Sequence, residues 1–150
     1  MLKLGKAPAR QDSVKLKLAT YLKATAPTAP AKVDVSKYYP KAWGMLGNDN
    51  YGDCVWAGAG HETLLWNDEA NKTLTFTDKA VLSDYSAVTG FNPNDENSDQ
   101  GTDMQVAADY RKKTGVVDAN GNRHKIAAYL ALKAGDEAQL KQAIYLFGAV

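Results

Sequence analysis

A mainly helical α+β fold is predicted by three features of the 150-residue sequence. Several segments combine a helix-start residue, an apolar-periodic body and a glycine stop. One stretch, residues 116–132, reads as strand, turn and strand. A proline-rich segment, Ala24-Thr25-Ala26-Pro27-Thr28-Ala29-Pro30-Ala31, separates an N-terminal arm from the remainder. With 45% hydrophobic and 23% charged residues, the composition is that of a globular chain able to bury one core.

The arm and linker occupy residues 1–31, and a single domain is expected over 32–150, apparently incomplete at its C-terminus. Within the arm, Ser13 is placed to cap a short helix with Val14, Leu18, Tyr21 and Leu22 on one face. Residues 14–18 also alternate like a strand, so both readings stand. Residues 33–43 are mixed and expected to be extended. A helix then runs from about Cys54 to Glu69. Its Ala57-Gly58-Ala59-Gly60 run weakens intrinsic helicity but permits close packing, which suits a central helix held by its neighbours. Thr77 or Asp78 caps a helix over 79–89 that Gly90 ends. Residues 91–101 form a polar loop. Thr102 with Gln105 has capping-box spacing and opens a helix to about Lys113, with Gly115 just beyond it. Strands are expected at 116–117 and 126–132, joined by a turn over 118–122. Asp136 caps a last helix over 137–146. The sequence closes on an apolar run, 144–150, which must be covered or continue into a strand.

Composition excludes several classes of function. A net charge of +1 gives no bulk attraction to nucleic acid or an anionic membrane. Arg111-Lys112-Lys113 ends a helix, where cations suit the dipole, and reads as structure. No apolar run approaches the ~20 residues of a membrane span, and residues 1–10 lack the apolar stretch of a secretion signal. A cytoplasmic or particle-associated protein is expected. One cysteine excludes internal disulfides and multi-cysteine zinc sites. His61, His124 and Cys54 do not form a convincing metal set, and an EF-hand beginning at Asp95 would put Gln100 where glycine is required and Val106 where glutamate is required. No metal or cofactor is expected. Trp43, Trp56 and Trp66 read as core residues.

The candidate chemistry centres on Cys54, in Gly47-Asn48-Asp49-Asn50-Tyr51-Gly52-Asp53-Cys54-Val55-Trp56-Ala57-Gly58. A glycine-broken polar loop runs into small and apolar residues. This places the cysteine at a helix N-terminus, where the dipole and unpaired N–H groups favour a thiolate. Asp49 and Asp53 oppose that effect if they face the sulfur. Asn48, six residues upstream, offers an amide for an oxyanion. His61 shares the Cys54 helix face, but two turns of ~1.5 Å rise per residue separate the backbones too far for a direct hydrogen bond. His124 reads as a surface histidine beside a turn. The motif alone leaves a nucleophile and a buried structural cysteine equally open.

The order of elements resembles the papain-like (cathepsin-type) cysteine peptidases. Val33-Asp34 is similar to the start of the mature family domain, and Asn48 to Ala57 resembles the oxyanion and nucleophile segment. Leu82-Ser83, Asp99-Gln100-Gly101-Thr102-Asp103-Met104 and residues 108–116 resemble the second half of the helical subdomain. Gly135-Asp136-Glu137, Leu140-Lys141-Gln142-Ala143 and Gly148-Ala149-Val150 resemble the helix and glycine-led strand that open the family's β-barrel subdomain. The resemblance covers roughly residues 32–150. It implies Cys54 as catalytic nucleophile, Asn48 in the oxyanion hole, and Gln100 and Gly101 in a substrate subsite. Asn48 stands where the family has glutamine, and Val55 intervenes before Trp56. The family's histidine and asparagine lie ~130–150 residues beyond the cysteine, past Val150. Two functions are therefore expected. One is a thiol peptidase acting on a peptide or protein, with its base supplied elsewhere. The other is a non-catalytic scaffold in an oligomer or particle, with a protein partner covering the apolar C-terminal edge.

Overall fold

The computed structural model describes residues 7, 10, 16–22, 26–34 and 43–150. Ser13, Val14 and residues 35–42 lie outside them. Helix α1 (Leu18–Tyr21) is a single turn preceded by Lys17. Residues 26–34 form neither helix nor strand, as their prolines imply.

The long helix α2 (Cys54–Glu69) is the centre of the fold, and its bounds coincide with those the sequence suggests. It buries Trp56, Ala57, Ala59, Gly60, Leu64 and Leu65, so it is covered on most sides and has no clear polar stripe. The small residues serve different ends. A Cβ on Gly60 would stand 3.0 Å from Leu46 Cδ1, so that glycine admits the loop before the helix, whereas Gly58 faces open space.

Helix α3 (Asp78–Thr89) follows, with the Thr77 hydroxyl accepting the Ala80 N–H and Gly90 closing it in the left-handed conformation at φ 77°. Its inner face supplies Val81, Asp84 and Tyr85. Tyr85 stacks on Phe91 at 4.7 Å, and Tyr51 meets the same ring edge-on at 5.0 Å. Residues 91–101 are mostly irregular, with one 3₁₀ turn at Glu96–Ser98.

Helix α4 (Met104–Lys113) starts one residue later than the capping-box spacing implies. Asp103 is the cap, its carboxylate accepting from the Gln105 and Val106 N–H groups. Thr102 is buried, and its hydroxyl accepts from Trp56 Nε1 at 3.0 Å. A tertiary partner thus claims the threonine, and the neighbouring aspartate takes over the helix end. Arg111, in the last turn of α4, pairs with Glu62 of α2 at 2.6 Å and lies over the Trp66 ring.

Strands β1 (Val116–Val117) and β2 (Arg123–His124) form an antiparallel hairpin with Val116 opposite His124 and Val117 opposite Arg123. The second strand lies earlier than the expected 126–132. The Asp118 carboxylate gathers the Asn120 and Asn122 N–H groups into a tight turn, so pairing resumes immediately after it. Gly115 is indispensable here, since a Cβ would lie 2.7 Å from the His124 carbonyl oxygen and φ is 87°. Beyond the hairpin, Ala131 pairs with the arm instead: its carbonyl accepts the Leu18 N–H, and its own N–H bonds the Leu16 carbonyl.

Helix α5 (Glu137–Phe147) is capped by Asp136, which accepts from the Gln139 N–H. Gly148 ends it, and residues 148–150 form no strand, contrary to the barrel-opening strand expected there. Tyr145, Phe147 and Val150 are exposed. The architecture is α+β in composition: packed helices with one small hairpin. No helix among the described residues is long and apolar enough to cross a membrane.

Candidate functional site

The turn over 46–50 delivers the chain to α2. Leu46 occupies the left-handed region at φ 56°, a conformation that costs a non-glycine residue about 1–2 kcal/mol. Burial of its side chain against Gly60 and the core holds it there. Gly47 follows at φ 99°, with Leu82 and Asp53 closing the space where a Cβ would stand. Asn48 is half-buried on this turn, with its N–H bonded to the Met45 carbonyl at 3.1 Å. Cys54 is the first residue of α2 and a half-buried free thiol.

A second segment closes on this one from far along the chain. The Gly52 N–H donates to both oxygens of Asp99, at 3.1 and 3.0 Å. The Tyr85 hydroxyl donates to Asp99 Oδ1 at 2.6 Å and accepts the Gly101 N–H at 3.0 Å. Burial first, and Asp99 second, push the Tyr85 phenol well above its usual range. With the Trp56–Thr102 bond, this chain of contacts fastens residues 99–102 beside the start of α2. Of the expected subsite pair, Gly101 is bound into that network. Gln100 is exposed, and its amide nitrogen bonds the Asn97 carbonyl at 2.6 Å.

Neither histidine is engaged with Cys54. His61 Nε2 donates to the Gly44 carbonyl at 3.1 Å, and its ring stacks on Trp43 at 5.9 Å. His124 is more than a turn-flanking surface residue: it is half-buried, with Nε2 3.0 Å from Asp118 Oδ2. Among the described residues, no three His, Cys, Asp or Glu side chains converge as a metal-ligand set.

Asp53 is the residue that sequence reasoning undervalued. It stands at the N-cap position of α2 yet makes no side-chain cap. Its residue is 0% exposed, and among the described residues neither carboxylate oxygen has a hydrogen-bond partner. Oδ2 lies 3.2 Å from where a Cβ on Gly47 would be, so the carboxyl is wedged under the Asn48 turn. Burial pushes its pKa up to about 7. The residue's own N–H offsets part of this without hydrogen-bonding either oxygen, and Asp99, Asp78 and Asp49 raise it further. An aspartate before a helix ordinarily reads as a cap, so local sequence conceals its isolation. Asp99 read only as part of a polar loop and a resembling stretch, because its partner Gly52 lies 47 residues away.

No family model matches the chain, and neither a curated protein nor a solved structure does.

Proposed function

We propose that this chain carries the nucleophile-bearing part of a papain-like thiol hydrolase, with Cys54 attacking the carbonyl of a peptide or protein substrate. The observation that carries the reading is the placement of Cys54. It is half-buried at the first turn of α2, between the fully buried Asp53 and Trp56. A purely structural cysteine tends to lie within the core.

In the proposed reaction, the sulfur adds to the carbonyl carbon, and the C=O electron pair moves to oxygen. Asn48 and the backbone N–H of Cys54 receive that oxyanion. Collapse expels the amine, which takes up a proton, and leaves a thioester. Water then cleaves the thioester to release the acid and restore the thiol. The proton must be carried by a group other than His61 and His124, each of which is bonded elsewhere. A histidine from further chain or from another subunit would fill that role.

A scaffold reading is supported by a separate observation, the exposed Tyr145, Phe147 and Val150 around the end of α5. Under it, Cys54 is inert and a protein partner covers that edge. The two readings part on labelling with a peptide bearing a C-terminal aldehyde or fluoromethyl ketone. The hydrolase reading expects one adduct, located on Cys54 by mass spectrometry, formed faster than with a non-peptidic electrophile of equal intrinsic reactivity. Equal rates for both reagents would favour the scaffold.

A further inference from the structure

We propose that Asp53 is a positioning residue whose neutral carboxyl holds the Asn48 turn against the N-terminus of α2, so that its ionisation loosens the turn. The proposal deepens the thiol-hydrolase reading and rests on it only for the catalytic meaning of Asn48 and Cys54.

The argument is geometric. The carboxyl lies inside the protein between two parts of the candidate site, with the start of α2 on one side and Gly47 of the turn on the other. Among the described residues, neither oxygen has a hydrogen-bond partner. A neutral acid tolerates such a place at modest cost, whereas an unpaired buried charge must find water or a partner. The charged groups acting on it are Asp99 from the loop after α3, Asp78 in the first turn of α3, and Asp49 on its own turn. All are acidic, so none compensates a further negative charge on Asp53. Cys54 follows it in the chain, and Tyr85 of α3 feels its charge. The easiest relief is outward movement of the turn above it, because Leu46 sits in a left-handed conformation that its packing and the Asn48 N–H bond to the Met45 carbonyl must maintain. The turn takes Asn48 with it.

The test is amide hydrogen exchange of the intact protein, corrected for intrinsic pH dependence and followed through neutrality. Exchange over residues 46–54 is expected to rise about tenfold or more as Asp53 ionises, one pH unit of linkage corresponding to a factor of ten. Amides of α4 serve as the internal control and stay flat. Asp53→Asn, which keeps the shape without the charge, removes the step. If that variant fails to fold, the wild-type protein still decides: the step must be confined to 46–54 and share its midpoint with the Asp53 carboxyl titration. A flat profile over 46–54, a rise common to the whole molecule, or a step that survives in Asp53→Asn would each overturn the proposal. Failure of peptide-electrophile labelling with the step intact would sink the hydrolase reading instead.

Discussion

Asp53 and Asp118 are almost equally withdrawn from water, 0% and 2% exposed, yet the protein treats them in opposite ways. At the hairpin turn, Asp118 receives the Asn120 and Asn122 N–H groups, the Asn122 amide and the His124 ring. Burial pushes its pKa up, but the bonds from His124, Asn122 and Asn120 outweigh that and hold it at about 2. At the entrance to α2, Asp53 has no such donors among the described residues, and burial prevails. Asp84 is likewise supplied with donors, accepting from the Tyr110 hydroxyl and the Val117 N–H and pairing with Arg123. The lesson is that burial alone does not set an acid's state; the donors delivered to it do. Two of these aspartates secure the hairpin. The third is left unpaired where the candidate chemistry lies, the kind of place where perturbed acids tend to gather.

The contrast is broken most forcefully at Asp84. Asp84→Ala takes the carboxylate acceptor from the Val117 N–H, the Tyr110 hydroxyl and Arg123, which keeps the Gly115 carbonyl and the Tyr110 hydroxyl, and is expected to cost roughly 4 kcal/mol, read from urea unfolding at neutral pH. Asp53→Asn has the opposite sign. The unfolded state loses the Asp53 proton near the ordinary value of 3.8, and the folded state keeps it until about 7. Between those values the folded state binds more protons, so stability falls as pH rises and levels off above about 7. Removing that penalty should stabilise the protein by up to about 4 kcal/mol at alkaline pH and by little at acid pH.

Asp118 gives the mirror image. Its contribution is present above the ordinary 3.8 and disappears as pH falls through about 2. Asp118→Asn should cost about 2 kcal/mol at neutral pH and flatten the acid limb of the unfolding profile. The smallest effect belongs to His61→Ala. Loss of the Gly44 hydrogen bond and the Trp43 stack should cost about 1 kcal/mol, while Cys54 labelling keeps its rate. A large fall in labelling would place His61 in the chemistry.

What the sequence disclosed tracks the range of the forces involved. The bounds of α2, and the caps Thr77, Gly90 and Asp136, were legible because each depends on neighbours within one turn. Thr102 was misread because its hydroxyl serves Trp56, 46 residues away, and no local pattern records that bond. The second strand was misplaced because apolar residues 126–132 outweighed the polar Arg123 and His124, whose pairing the Asp118 turn dictates. Cys54 at a helix start was visible from glycine punctuation. The isolation of Asp53 was not, since it arises from the Gly47 turn folding over it.

The most direct measurement is a carbon-13 titration of the Asp53 carboxyl by NMR in the folded protein, with Asp118 followed alongside. The account predicts a midpoint at about 7 for Asp53 and about 2 for Asp118. A midpoint for Asp53 near the ordinary 3.8 would mean that its carboxyl has found donors or water, and the claim of an unpaired acid beside Cys54 would be contradicted.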